Sequence, residues 1–210
     1  YDVVANPHTD HPSAASFGDH TTGHGLMMAI NGSTSPGTMV WSQTVSVTAN
    51  TAYQFIGWAA SWYHISPAQL QVSINGSVVG NVIAPSSSGV RQQLRAIPTP
   101  RSSDLAAIQI VDLTIENNGN DFALDDLALQ SQGDCNTPTN TPPGTPPSLT
   151  PTNTQGPSCG PTLTVIRNFE AGNTGFTSGY TFSPGNIMAG GVYDVVANPH
   201  TDHPSAASFG

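Results

Sequence analysis

The sequence contains no lysine and only four arginines, against 13 acidic residues among 210, so its formal net charge is −9. Proteins that bind nucleic acids neutralise phosphates with clustered basic side chains, so this composition excludes that class of partner. The same shortage argues against attachment to a membrane surface through a polybasic segment. No apolar run approaches the ~20 residues of a membrane-spanning helix. Charged residues make up only 8%, which favours an exported β-protein in an extracellular or cell-surface location.

Cysteine is nearly absent. The two cysteines, Cys135 and Cys159, flank a tract of 23 residues (136–158) with seven prolines, seven threonines and no charge. Such a tract cannot build a core and is expected to be extended and solvated. In an exported protein the two cysteines are expected to form a disulfide, which brings the ends of the tract together and leaves its threonines exposed for glycosylation. Successive domains would then abut. The alternative is two unrelated thiols in a disordered linker.

The sequence also repeats itself, because residues 193–210 duplicate residues 1–18 without a single change. This duplication predicts one period of a tandem array followed by the start of the next period. In this interpretation residues 1–134 form the main part of a jelly-roll domain, 135–160 the linker, and 161–210 the first strands of the next repeat. An overlap created during assembly of a repetitive gene is the alternative, and it implies the same repeated protein. The expected partners are identical copies joined head to tail.

Most of the remaining sequence alternates or runs apolar over strand lengths and shows no helical period. Asn75-Gly76, between two apolar runs, is typical of a two-residue hairpin turn. The predicted strands span residues 38–48, 52–63, 69–75, 77–83, 106–115, 121–130 and 162–169. We therefore predict an all-β protein, a two-sheet antiparallel β-sandwich of the jelly-roll type. Residues 91–105, which include Pro98 and Pro100, are expected to be an edge loop or not native, because a central strand excludes proline.

Placed in domain order, the sequence reads NFEAGNTGF from Asn168, then GDHTTGHGLMMAING, VWSQTVSVTANTAYQFIGWAAS and NGNDFALDDLAL. This order of motifs resembles the calcium-binding jelly-roll superfamily, which includes many carbohydrate-binding modules and bacterial surface repeats. The resemblance implies a structural calcium held by carboxylates of the first and last strands together with loop carbonyls. Carried over, the ligands are Glu170, Asp125 and the carbonyl of Gly23, and such hard oxygen donors suit calcium. The alternative for Asp125 and Asp126 is a pair of solvated acids at a strand bulge.

A second group of candidate ligands lies close together near residue 15. Its members are His8, Asp10, His11, Asp19, His20 and His24. Imidazoles with interleaved carboxylates suit zinc or another transition metal, but their spacing matches no zinc signature, so a polar surface loop is the simpler interpretation. A triad of Ser13, His11 and Asp19 lacks a nucleophile elbow and an oxyanion-type glycine turn. We therefore expect no enzymatic activity.

Aromatic residues are few, at 7%, and they bear on sugar binding. Trp62 and Tyr63, at a strand end, are the predicted site for stacking against a sugar, whereas Trp41 and Trp58 are expected in the core. The leading hypothesis is a structural repeat unit of an extracellular bacterial filament or surface stalk, stabilised by calcium and the linker disulfide. The alternative is a tandem carbohydrate-binding or adhesive module of a large surface protein, with polysaccharide as its partner.

Overall fold

The computed structural model describes residues 2–9, 11, 14–84, 89–96, 104–131, 161–183 and 192–195. Within these ranges the chain forms twelve strands and one 3-10 turn at Pro7–Thr9. The strands are β1 (Asp2–Val4), β2 (Met27–Ile30), β3 (Thr38–Ser46), β4 (Tyr53–Ser61), β5 (Gln69–Ile74), β6 (Ser77–Ile83), β7 (Arg91–Ala96), β8 (Leu105–Asp112), β9 (Phe122–Ser131), β10 (Leu163–Arg167), β11 (Thr181–Phe182) and β12 (Val192–Val195). None of the described segments is a helix long and apolar enough to cross a membrane.

The strands form two sheets that face each other. In the large sheet the order is β11-β12-β1-β2-β9-β4-β7, and β10 pairs with β9 beside this path. The small sheet has the order β3-β8-β5-β6. The described pairs are antiparallel except for the two that β12 makes, with β1 and with β11. The predicted all-β, two-sheet antiparallel sandwich of the jelly-roll type is confirmed.

The core lies between the two sheets and follows the two-residue alternation of the strands. Phe55 and Ala59 of β4 point inward together with Leu94 of β7. Trp41 of β3 faces them from the small sheet, with its ring centroid 6.5 Å from that of Phe55. Trp41 is fully buried, as expected from the sequence. Removing such large apolar side chains from water is the main favourable term in the stability of the sandwich.

Each strand predicted from the sequence is present, with slightly different ends. Asn75 and Gly76 have φ angles of 49° and 76°, as a type I′ hairpin turn between β5 and β6 requires. The stretch expected to be an edge loop is instead an edge strand, because β7 pairs with β4 and buries Leu94. Pro98 and Pro100 lie outside the described residues.

Strand β9 positions the candidate site, because two different strands pair with the same edge of it. β2 pairs with the first residues of β9, from Phe122 to Leu124, and β10 pairs with later residues, from Leu127 onward. Asp125 and Asp126 lie between these two pairings. Asp126 has a φ of 48°, and the register with β4 shifts near this point. The predicted bulge is therefore present, and the loops before β2 and after β10 meet beside it.

The Pro/Thr tract lies between β9 and β10 in the sequence, and Ser131 and Thr162, the described residues on its two sides, are hydrogen-bonded to each other. The N–H of Ser131 donates to the carbonyl of Thr162 at 2.9 Å, and the N–H of Thr162 donates to Ser131 Oγ at 3.1 Å. Residues 161–183 thus complete the same sandwich as the strands that precede the tract. Cys135 and Cys159 lie outside the described residues, so their disulfide stays a prediction, as does the division into domains.

Candidate functional site

The loop before β2, residues 18–26, is folded around the carboxylate of Asp19. Four hydrogen bonds from this loop end on that carboxylate; their donors are the N–H groups of Thr21, Thr22 and Gly25 and the hydroxyl of Thr22. Burial raises the pKa of Asp19, but the hydrogen bonds outweigh it, so that the pKa lies below its usual value. Asp19 is therefore held as an anion by the loop itself.

Glu170, which follows β10, reaches the same loop. Its Oε1 accepts the N–H of Leu26 at 2.9 Å. A Cβ on Gly25 would lie 2.2 Å from Glu170 Oε1 and 3.0 Å from Asp19 Oδ2, so the two carboxylates approach a space that only glycine leaves open. Asp125 lies close enough for the charge of Asp19 to raise its pKa. The structure thus brings the two predicted carboxylates to one loop and adds Asp19 to them.

Asp125 is a buried acid that pairs with no cation among the described residues. It is 5% exposed, so it is not the solvated acid that one interpretation of the sequence expected. Burial raises the pKa of Asp125 to about 7, and the charges of Asp126 and Asp19 contribute to the rise. Its Oδ2 accepts the N–H of His20 at 2.7 Å. Within the described residues the ion pair is formed by His20 and Asp126, and no arginine pairs with Asp125. A bound cation would supply the missing positive charge.

The donor chemistry of this cluster fits calcium. Asp19, Asp125 and Glu170 carry hard carboxylate oxygens of the kind that calcium prefers. In the part of the chain that the structure describes, no three acidic, histidine or cysteine side chains are grouped as metal ligands. A calcium site here therefore needs backbone carbonyls. The carbonyl of Gly23, the predicted donor, lies in the same loop and packs against Gly18, where a Cβ would lie 1.9 Å from it.

His20 connects the carboxylate cluster to the large sheet. Its Nδ1 is 2.7 Å from Asp126 Oδ2, and its ring stacks on Trp58 with centroids 4.0 Å apart and planes inclined by 18°. Trp58 is half-buried and lies opposite Asp125 in the pairing of β4 with β9. The expectation that Trp58 belongs to the core is wrong. Trp58 is three positions from the inward-facing Phe55, and strand alternation turns it to the other side.

We define the outer face as the side of β4 and β7 that points away from the small sheet. Its members are Gln54, Ile56 and Trp58 on β4, and Arg91, Gln93 and Arg95 on β7. Register places Ile56 beside Arg95 and Trp58 beside Gln93, so the six side chains form two adjacent rows. Across β9, the exposed side chains of Leu163 and Val165 on β10 extend this surface. The outer face therefore combines an aromatic ring, aliphatic groups, amides and guanidinium groups.

The sugar-stacking site predicted at Trp62 and Tyr63 is corrected for Trp62. Trp62 is 0% exposed, and its Nε1 donates to the carbonyl of Phe122 at 2.8 Å. It belongs to a second apolar cluster that includes Val4 and Ala14, so no ring face is open to a sugar. Tyr63 is half-buried at the margin of this cluster. The segment after β1 folds over this end of the sheet, and no local sequence pattern predicts that packing.

The histidines near residue 15 have separate roles. His8 Nδ1 contacts a backbone carbonyl oxygen at 2.6 Å, and the ring of His11 lies 5.1 Å from that of Trp62. Among the residues that the structure describes, they form no common metal site. Asp10 and Ser13, which complete the zinc group and the triad considered from the sequence, lie outside those residues.

Two further acids are buried, Asp112 at the end of β8 and Asp121 immediately before β9, and no sequence pattern singles them out. Asp112 Oδ2 accepts the side-chain amide of Asn120 at 2.7 Å and the Tyr180 hydroxyl at 3.5 Å. Asp121 Oδ1 accepts the N–H of Gly32 at 3.3 Å. Burial raises the pKa of Asp112 to about 6 and that of Asp121 to about 7, where the charge of Asp112 adds to the effect. These groups join β8, β9 and the segment after β10.

No protein-family model and no curated protein matches this chain. Among solved structures, it is similar to the C-terminal domain of EclA, a sugar-binding protein, with 15% identity and a TM-score of 0.43 over 52% of this chain and 86% of that one. It is similar to the CBM22-1 xylan-binding domain of Paenibacillus barcinonensis Xyn10C, with 12% identity and a TM-score of 0.37 over 55% and 79% of the two chains. It is also similar to the CBM36-1 domain of a xylanase from the hindgut metagenome of Trinervitermes trinervoides, with 18% identity and a TM-score of 0.34 over 56% and 89%. These values mark a remote likeness, so the function proposed below rests on the residues of this chain.

Proposed function

We propose that this protein is a non-catalytic carbohydrate-binding module that binds polysaccharide on the outer face. The observation that carries the proposal is the position of Trp58, a half-buried indole on the outer face that stacks on His20 and has the half-buried Gln93 beside it. Sugar rings combine an apolar C–H face, which packs on an aromatic ring, with hydroxyl groups that amides hydrogen-bond. The outer face offers both kinds of contact within two strands.

The composition supports an extracellular location for such a module, and the duplication supports its repetition along a chain. Low charge and the absence of lysine favour an extracellular or cell-surface location. The 18 identical residues at 1–18 and 193–210 support a tandem arrangement. Several weak modules on one chain strengthen binding to a repetitive polymer, because each further contact becomes intramolecular.

Affinity gel electrophoresis on a panel of neutral and acidic polysaccharides tests the proposal. Xylan, the ligand named for one of the similar structures, is a natural first polymer. We expect at least one polymer to retard the chain, and Trp58→Ala to weaken that binding at least tenfold, about 1.4 kcal/mol. Tyr63→Ala is the matched control and keeps full binding. Loss of binding in Tyr63→Ala but not in Trp58→Ala would return the site to the position predicted from the sequence.

We also propose that calcium binds at the carboxylate cluster, with Asp125 and Glu170 as side-chain ligands and the 18–26 loop, including Gly23, as the source of carbonyls. The buried carboxylate of Asp125, which pairs with no described cation, supports this proposal. Bound calcium would neutralise charge and hold the loop against β9. Calcium should raise the melting temperature of chelator-treated protein, and Asp125→Asn should abolish the rise. An unchanged melting temperature in saturating calcium contradicts the site.

A second candidate function is the structural filament or stalk. The duplicated segment favours it, because a repeated unit is the basis of a head-to-tail array. Identical copies joined head to tail would be the partners. The two candidate functions predict different assembly states: independent monomers for the module and rods for the filament.

A further inference from the structure

The arginines of this acidic chain are unevenly placed. Two of the four, Arg91 and Arg95, lie on β7, and both point to the outer face because Leu94 between them points into the core. Side chains two positions apart on one side of a strand are spaced by about 6.6 Å. Arg91, Gln93 and Arg95 therefore form a row along the edge of the large sheet, beside the row that contains Trp58.

Neither charge on this row is neutralised by a described carboxylate. The Nη2 of Arg91 donates to the carbonyls of Gly18 and Asp19 at 2.6 and 2.8 Å, which fixes the guanidinium beside the Trp58–His20 stack. Arg95 is exposed, and its Nη2 lies 3.4 Å from the neutral Oε1 of Gln54. In the described part of the chain the ion pair joins His20 to Asp126 and involves neither arginine. The row is thus a local positive surface on a chain with a net charge of −9.

We infer that the polysaccharide bound by the outer face is acidic, with carboxylated sugar units of the uronic acid class. This inference rests on the proposed function and specifies its ligand. A guanidinium group pairs with a carboxylate through two parallel N–H donors, which gives both charge and orientation. An anionic polymer is repelled by most of this protein, so charge complementarity confines it to the row of Arg91 and Arg95, where its rings reach Trp58.

Short oligogalacturonides and their methyl esters provide the test, because esterification removes the charge and keeps the sugar. Titration calorimetry on the full chain should show that the acids bind at least tenfold more tightly than the esters. Raising the salt concentration should weaken binding of the acids and leave the esters unaffected. Arg95→Gln should remove most of the preference for the acids, and Arg95→Lys should restore part of it.

Asn117→Asp is the matched control, since it changes the net charge by the same unit as Arg95→Gln at an exposed position in the connection between β8 and β9. It should leave the preference unchanged. Equal binding of acids and esters, with neutral polymer still bound through Trp58, overturns the acidic ligand and leaves the module intact. An equal loss in Asn117→Asp overturns the direct contact with Arg95. No binding to any polysaccharide overturns the proposed function itself.

Discussion

Two buried carboxyl groups, those of Asp112 and Asp121, make the stability of this fold depend on pH. Both are buried, at 1% and 6% exposure, and neither pairs with a described cation. Burial raises their pKa values to about 6 and about 7 from an ordinary value of 3.8. At a pH between the ordinary value of 3.8 and these raised values, the two carboxyl groups are protonated in the folded protein and ionised in the unfolded chain. Unfolding then releases protons, so raising the pH through this window lowers the free energy of unfolding.

Asp121→Asn should flatten this dependence, because the amide is neutral at every pH and its oxygen still accepts the N–H of Gly32. While one such carboxyl titrates, the free energy of unfolding falls by about 1.4 kcal/mol per pH unit. Urea unfolding of chelator-treated protein between pH 5 and pH 8 should therefore show that the free energy of unfolding falls less steeply with pH in the variant than in the wild type. Asp104→Asn, which removes an exposed carboxylate, is the control. Parallel curves for wild type and Asp121→Asn would disprove the buried titration.

At the same scale, strand alternation explains which site residues the sequence could predict. Phe55 and Trp58 differ by an odd number of positions, so they face opposite sides, and this rule alone would have placed Trp58 on the outer face. Burial of Trp62 depends on a segment that follows β1 and is distant in sequence, so no local pattern reveals it. Asp19 stands among histidines in the sequence, and this adjacency gives no sign of its proximity to Asp125 and Glu170 in the fold.

At the scale of elements, β9 and β10 form an antiparallel pair, and the connection between them contains the whole Pro/Thr tract. The hydrogen bonds between Ser131 and Thr162 hold the ends of this long connection together. Cys135 and Cys159 lie a few residues inside those ends in the sequence. Because the pairing of β9 with β10 holds Ser131 beside Thr162, we expect Cys135 and Cys159 to be within reach of each other, and the disulfide stays a prediction.

Reduction of this disulfide should destabilise the domain. A bond that closes a loop of about 25 residues contributes about 3 kcal/mol in the chain-entropy model. Chemical unfolding with and without reductant should show a loss of this size in the wild type and none in the double variant Cys135→Ser with Cys159→Ser. Peptide mapping of non-reduced protein should find one cystine joining the two positions. Two free thiols in that sample would refute the bridge.

At the scale of the whole molecule, the duplicated segment creates two strands of the same sequence in one sheet. β12 lies parallel to β1, with Asp2 opposite Asp194 and Val3 opposite Val195. After β11 the chain thus reaches the position next to the one that β1 occupies. In a tandem array, a copy of residues 1–18 follows residues 161–192. If that copy moved by one strand position within the sheet, it would occupy the place that β1 has here.

A reordered chain, with residues 161–192 followed directly by 1–134, should therefore fold. It contains β10, β11 and every strand from β1 to β9 in the order in which an array reads them. We expect this reordered chain to sediment as a monomer and to melt at the temperature of the original chain. Residues 1–134 alone should aggregate, because they lack β10, the strand that pairs with Leu127 and Leu129. Failure of the reordered chain to fold would mean that residues 161–183 require the preceding unit.

The same sample separates the two candidate functions. Independent monomers that bind polysaccharide support the module. Rods in electron micrographs that fray when calcium is chelated support the filament, in which the 161–183 segment of one copy completes its neighbour. A mixture whose rods ignore chelator would assign assembly to strand exchange and exclude calcium as the link between units.

The sequence by itself determined the all-β class, the positions of seven of the described strands, the hairpin at Asn75-Gly76 and the duplicated segment, because each depends on local alternation, turn geometry or direct identity of residues. Only the tertiary structure decided that Arg91 to Ala96 form an edge strand, that Asp19 joins Asp125 and Glu170, and that Trp62 is buried. These outcomes depend on which distant segments pack together. Strand pairing and burial across more than a hundred residues leave no periodic trace in the local sequence.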